Sequence, residues 1–168
     1  QNISLQSAEG FDGSVSFLHD LGDDRTLSFK GALSYLDSSR RITTDLPSMP
    51  QAGLIFQPPH WRGRMSASWE EANFVLSASA SFVGGTKDNR FQPSARVRSF
   101  VTFDTVATFR SARASGLLSG TNLTIAIQNL FNEKPSLIRT VDPAAFRYDS
   151  INHSPFGRVI SLTLSKAW

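Results

Sequence analysis

Apolar side chains recur at every second position in seven separate stretches of this chain, and a period of two is that of a β-strand with unlike faces. Phe11, Val15, Phe17 and Leu21 share one face against Asp12, Ser14, Ser16 and Asp20. Leu27, Phe29, Leu33 and Tyr35 oppose Thr26, Ser28, Lys30 and Ser34, while Trp61, Met65, Ala67 and Trp69 oppose Arg62, Arg64, Ser66 and Ser68. Phe74, Leu76, Ala78, Ala80 and Phe82 stand against Ser77, Ser79 and Ser81. Val101, Phe103, Ala107 and Phe109 stand against Thr102, Asp104, Thr108 and Arg110. Leu123, Ile125 and Ile127 alternate with Asn122, Thr124, Ala126 and Gln128, and Ile160, Leu162 and Leu164 alternate with Val159, Ser161, Thr163 and Ser165. No stretch longer than about ten residues carries the helical period of 3.6. The expected fold is all-β and antiparallel.

The connections add a second pattern. Three are compact: GDD (22–24), EEAN (70–73) and SARASGLLSG (111–120). Three are long, over 37–60, 85–97 and 132–155, and they hold the eight prolines. Short and long alternate strictly, as in an outer-membrane barrel with tight periplasmic turns and longer extracellular loops. Nothing forces that asymmetry on a soluble β-sandwich, which is the competing reading. The aromatics Tyr35, Trp61, Trp69, Phe74, Phe82, Phe109 and Trp168 fall near the ends of apolar faces, where interfacial girdles belong. Segments of about nine to eleven residues are long enough to cross a bilayer on tilted strands.

Composition narrows the function. There are no cysteines, so disulfides, thiol nucleophiles and cysteine metal sites are excluded. Glu occurs only four times, which disfavours helices. The net charge of +3 is spread along the chain rather than clustered, which argues against a nucleic-acid partner. No run approaches the roughly 18 apolar residues of a transmembrane helix, and Gln1 is followed by no signal-peptide pattern.

Seven strands leave a sheet open, and an unpaired edge is not tolerated in hydrocarbon. The expected architecture is therefore a transmembrane β-barrel segment, about seven strands of a larger barrel. A complete eight-stranded barrel, porin-like or adhesive, would need one more strand in 1–9 and a turn near Glu9–Gly10.

Three stretches resemble the C-terminal part of TonB-dependent outer-membrane receptors. TNLTIAIQNLFNEKP (121–135) is similar to the family's penultimate strand, with Asn-Leu-Phe followed by Pro. YDSINHSPFGRVISLTLSKAW (148–168) is similar to the run that opens and forms its last strand. More weakly, 10–38 resembles a mid-barrel hairpin. The resemblance implies a barrel of 22 strands, the bacterial outer membrane, and import of a scarce small-molecule ligand such as a metal chelate or a saccharide. It implies as partners the outer-membrane lipid, the rest of the barrel and its plug domain, TonB through an N-terminal part absent from 1–168, and the barrel insertion machinery. Ile160, Leu162, Leu164 and Trp168 match the assembly signal that this machinery reads. Lys166 departs from it, where an aromatic or apolar residue is commoner.

No enzyme and no cofactor is expected. His19, His60 and His153 lack metal-ligand spacing, GGTK (84–87) lacks the frame of a phosphate loop, and no acid–base or nucleophile cluster emerges. Asp104 and Arg110 read as charges on the lumen-side wall. Ligand contacts are expected in the long loops, where function concentrates on rigid scaffolds. The candidates are Lys87 and Arg90 in one loop, joined by Asp88 and Arg96, and Arg139, Arg147, Tyr148, Asp149 and His153 in another. Tyr148 and Asp149 are equally suited to shaping their loop.

Overall fold

A computed structural model describes residues 5–43, 45–111, 116 and 119–167. The chain is all-β, and no helix occurs among the described residues. Seven long strands follow one another: β1 (Leu5–Gly22), β2 (Arg25–Arg41), β4 (Trp61–Glu71), β5 (Phe74–Val83), β8 (Phe100–Arg110), β9 (Thr121–Gln128) and β10 (Val159–Lys166). They pair in the order β1-β2-β4-β5-β8-β9-β10, and every pair is antiparallel. The short β3 (Met49–Pro50) adds to the far end of β2, and β6 (Thr86–Asp88) with β7 (Ala95–Val97) forms a small separate hairpin. Each alternating segment of the sequence lies in one long strand.

The register carries the alternation across the whole sheet. Phe17, Phe29, Ala67, Ala78, Thr105, Ile127 and Ile160 stand opposite one another in turn through all seven long strands. Since side chains share a face at every second position, one surface becomes continuously apolar. Thr105, the hydroxyl in that row, donates to the Ser77 carbonyl at 3.0 Å and so hides its polar group in the sheet. The opposite face runs through Ser16, Lys30, Ser66, Ser79 and Asp104. There, hydroxyls bond across strands, Ser77 to Ser68 at 3.0 Å and Thr108 with Thr124 at 3.1 Å.

Among the described residues, the turns at 22–24 and 70–73 close one end of the sheet, while most of the 111–120 connection lies outside the described residues. Asp23 and Asp24 both adopt positive φ, 53° and 57°, the conformation of a two-residue hairpin whose twist matches its strands. Asp20 accepts a hydrogen bond from the Gly22 amide at 2.9 Å across a local register shift. At the other end all three long connections gather.

One alternative and one expectation need correction. No separate strand with a turn at Glu9–Gly10 forms: Leu5–Gly10 continues β1, with Glu9 opposite Asp37 and Gly10 opposite Leu36. Gly10 serves close approach instead of a turn, because a Cβ there would run into the Tyr35 carbonyl oxygen. Asp104 is also no free wall charge, since its Oδ1 accepts the Asn129 amide at 2.8 Å, where β9 ends. Arg110 lies 3.5 Å from Glu70.

The sheet is a single layer. The buried hydrophobic residues, Ala52, Ile55, Val97, Phe100 and Ile138, all sit at the long-loop end. The apolar face is open, with Phe17 at 54%, Met65 at 55% and Leu162 at 69% exposure. Among the described residues, nothing packs over it.

Candidate functional site

The long-loop end is organised by polar side chains that stitch the loops together. In the Asn-Leu-Phe-Asn stretch after β9, Asn129 and Asn132 both have positive φ, 50° and 56°, which Asn tolerates better than most residues. The buried Asn129 amide accepts from the Glu133 N–H at 2.8 Å and donates to the carbonyls of Glu133 at 2.8 Å and Phe156 at 3.2 Å. Asn132 accepts the Arg158 amide at 3.0 Å, and a Cβ on Gly157 would stand 2.5 Å from the same Asn132 oxygen. Together they pin the chain entering β10 beside the chain leaving β9.

A second knot lies in the Tyr-Asp run. Asp149 is completely buried. Its carboxylate accepts the amides of Ile151 and Asn152 at 3.3 and 3.2 Å and the Asn152 side chain at 2.9 Å, an Asx-type turn. Asn152 in turn donates to the Gln57 carbonyl at 2.8 Å, tying this loop to the one before β4. His153 packs its ring 4.9 Å from that of Phe100, with both ring nitrogens buried and without a hydrogen-bond partner among the described residues. Tyr148 meets Phe146 at 5.6 Å.

The third contact zone joins the 84–99 and 129–158 loops. Arg90 chelates the buried Asp88, Nε to Oδ1 and Nη2 to Oδ2, both at 2.9 Å. The same guanidinium lies 4.9 Å from the ring centre of Phe56 and donates to the Arg139 carbonyl at 3.1 Å. The Arg90 hydrogen bonds hold the Asp88 carboxyl below the usual carboxylate range, and Asp88 raises Arg90 in return. The Ile55 amide donates to the Lys87 carbonyl at 3.0 Å, and the Lys87 amide donates to the Gly53 carbonyl at 2.8 Å. Arg90 is thus a strut between loops.

Around this strut the structure sorts the seven candidate ligand residues. Arg139 and Arg147 come together on a cleft of about 610 Å³, which Arg96 shares. The cleft is floored by Phe91, Val97 and Ile138 and rimmed by Leu137, Val141 and Thr140. Lys87 is exposed and lines a neighbouring depression with Gly53, Thr86 and Arg96. Tyr148, Asp149 and His153 stand outside the cleft, in the knot that shapes their loop. The apolar lining was not legible from alternation, because Phe91, Leu137 and Val141 lie in loops without a period. Asn129 and Asn152 announced themselves only as members of short motifs.

The candidate assembly residues Ile160, Leu162 and Leu164 occupy the apolar face of β10 at 66%, 69% and 70% exposure. Trp168 lies outside the described residues. Comparison with known proteins finds no matching family model, no similar curated protein and no similar solved structure.

Proposed function

We propose that this chain supplies seven strands of a larger outer-membrane β-barrel, of the kind found in TonB-dependent receptors, and that its long loops take part in capturing a scarce small-molecule nutrient. The observation that carries the reading is the uncovered apolar face running through seven single-layered strands. A domain in water buries such a face under a second layer, since fully burying one large aliphatic side chain gains about 1.5–3 kcal/mol. Lipid removes the need for that layer. The central strands β4, β5 and β8 have 11, 10 and 11 residues. At about 3.3 Å per residue and a tilt near 45°, such strands cross about 25 Å, the height of a barrel's apolar band.

Two further features support this placement. Phe11, Tyr35 and Trp61 cluster at the loop end of the apolar face, with Tyr35 and Trp61 ring centres 4.8 Å apart and Phe11 and Trp61 5.6 Å apart. Trp69 and Phe74 meet at 6.0 Å at the turn end. These are two girdles on one face, the arrangement of a membrane-spanning sheet. Beyond the upper girdle β1 and β2 continue as polar strand, which supports a reading with the long loops outside the bilayer. The polar face of Ser, Thr, Lys and Asp then lines the lumen, where a plug would sit, and the edges of β1 and β10 take up the remaining strands of the barrel.

Brominated lipids test the membrane placement. In vesicles of lipids brominated along the acyl chain, the fluorescence of Trp61 and Trp69 is expected to be strongly quenched, with little quenching by aqueous iodide. Trp61→Phe and Trp69→Phe variants assign each signal. A full-length product that stays soluble without detergent, with iodide-accessible tryptophans and no lipid quenching, would refute the barrel and favour a sandwich completed by another sheet. Nutrient capture is tested separately, by whether uptake of the ligand stops when energy coupling through TonB is removed.

A further inference from the structure

We propose that the cleft between the 84–99 and 129–158 loops binds an anion carried on an apolar body, with Arg96, Arg139 and Arg147 holding the anionic group. The proposal rests on the receptor reading and narrows its ligand from nutrients in general to amphipathic anions.

The charge inventory excludes the alternatives. Three arginines and one acidic residue line the cleft, and the carboxylate of that residue, Asp88, already has both oxygens bonded to Arg90. The side chains of Arg96 and Arg147 are exposed and make no ion pair or hydrogen bond among the described residues. Arg139 donates only to the Pro93 carbonyl, at 3.4 Å. Three arginines thus line one cleft whose single lining carboxylate is already bonded to Arg90, and guanidinium is the side chain best matched to planar or tetrahedral oxyanions. A bare metal cation would be repelled. A neutral saccharide would lack acceptors, since the lining holds no free carboxylate and no side-chain amide, only the Thr140 hydroxyl.

The walls specify the rest of the ligand. Phe91, Val97 and Ile138 present a hydrocarbon floor, while Leu137 and Val141 remain 78% and 87% exposed at the rim. Apolar side chains left open beside unpaired arginines suit a molecule with one hydrophobic part and one anionic part. The volume of about 610 Å³ lies in the range of small-molecule sites. The cleft is also preorganised. The Ile138 amide bonds the Arg147 carbonyl at 2.9 Å, so Arg139 and Arg147 are held on adjacent limbs of one loop, and Arg90 clamps the Arg139 carbonyl from the other. Prepaid ordering of this kind raises affinity without new contacts.

A matched pair of probes provides the test. The full-length product in detergent micelles is titrated calorimetrically with 2-naphthoate and with its neutral isostere, 2-naphthamide. The acid is expected to saturate one site, at least about tenfold tighter than the amide, and to weaken as salt rises. Arg139→Gln and Arg147→Gln are each expected to weaken naphthoate about tenfold, while Arg64→Gln, on the polar face of β4, leaves it unchanged. Arg96→Gln, whose side chain has no partner among the described residues, serves if either loop variant fails to fold. Equal affinity for acid and amide, or no naphthoate binding by folded protein, overturns the proposal.

The same sample separates this outcome from that of the receptor reading. Lipid-quenched tryptophans without naphthoate binding remove the anion site alone. Naphthoate binding by protein with unquenched tryptophans removes the barrel reading and keeps the site. Competition by lipid A distinguishes the two sources of such a ligand: displacement of naphthoate assigns the cleft to lipid phosphates, and persistence assigns it to a free anion.

Discussion

His153 is 4% exposed, its ring beside Phe100, and neither ring nitrogen has a hydrogen-bond partner among the described residues. Burial disfavours the imidazolium and lowers its pKa, opposed by the nearby Asp149 charge and reinforced by Arg62. The unfolded chain, with a value near 6.5, therefore takes up a proton before the folded one does. Stability should be constant above about pH 6.5 and fall as pH drops from there towards the lower folded value. Urea midpoints in micelles at neutral and mildly acidic pH check this. His153→Phe, which keeps a ring against Phe100, should flatten that part of the profile. Asn129 gives the complementary case, since its side chain makes three hydrogen bonds from a buried position at φ 50°. Asn129→Ala should cost about 2–4 kcal/mol in the same assay, and Asn129→Gly should recover only the backbone part, about 1–2 kcal/mol. Neither burial was readable beforehand. His153 and Asp149 sit in a stretch of polar residues and Pro that has every local mark of an exposed loop, and what encloses them is Phe100 at the start of β8 and Gln57 before β4.

At the scale of the strand, the two faces of β4 should respond oppositely to the same charge. Met65 lies mid-strand on the apolar face, opposite Gly31 and Ala80, while Ser66 lies on the polar face, opposite Lys30 and Ser79. In lipid, Met65→Arg should cost about 2–4 kcal/mol, as expected near the bilayer midplane, whereas Ser66→Arg should be close to neutral. Folding yields into vesicles, read from heat-modifiable gel mobility, make the comparison, and equal yields would remove the inside–outside assignment. Strand positions were legible because alternation is local, visible within about ten residues of Trp61–Glu71 or Phe74–Val83. The outer parts of β1 and β2 were not. Leu5–Gly10 and Leu36–Arg41 mix polar and small residues on both faces, so their strand character comes from pairing with each other. The loops form their own small structural unit, in which Gly53 at φ 75° lies so close to His60 that an added Cβ would collide with the imidazole. Gly53→Ala should loosen this unit and raise protease cleavage in the long loops while leaving the strands intact.

For the whole molecule, the decisive feature is an open sheet with β1 and β10 at its edges. An unpaired backbone group in hydrocarbon costs several kcal/mol, so the barrel reading requires a neighbour for each edge. Hydrogen exchange on the full-length product in micelles should find slow amides along β1 at the alternate positions that β2 does not bond. Fast exchange along that whole edge would contradict closure. The centres of the seven strands, their antiparallel order and the apolar or polar character of each face were determined by the sequence alone, because strand alternation and tight turns are set by neighbours a few residues apart. The same local signal separated short turns from long loops. Only the tertiary structure decided that Arg90 braces Asp88 while Arg96, Arg139 and Arg147 line one cleft. It alone turned Asp149 and His153 inward. Those outcomes depend on contacts between loops up to 95 residues apart, as between Asn152 and Gln57, and no local pattern encodes which charged side chain will find a partner across such a distance.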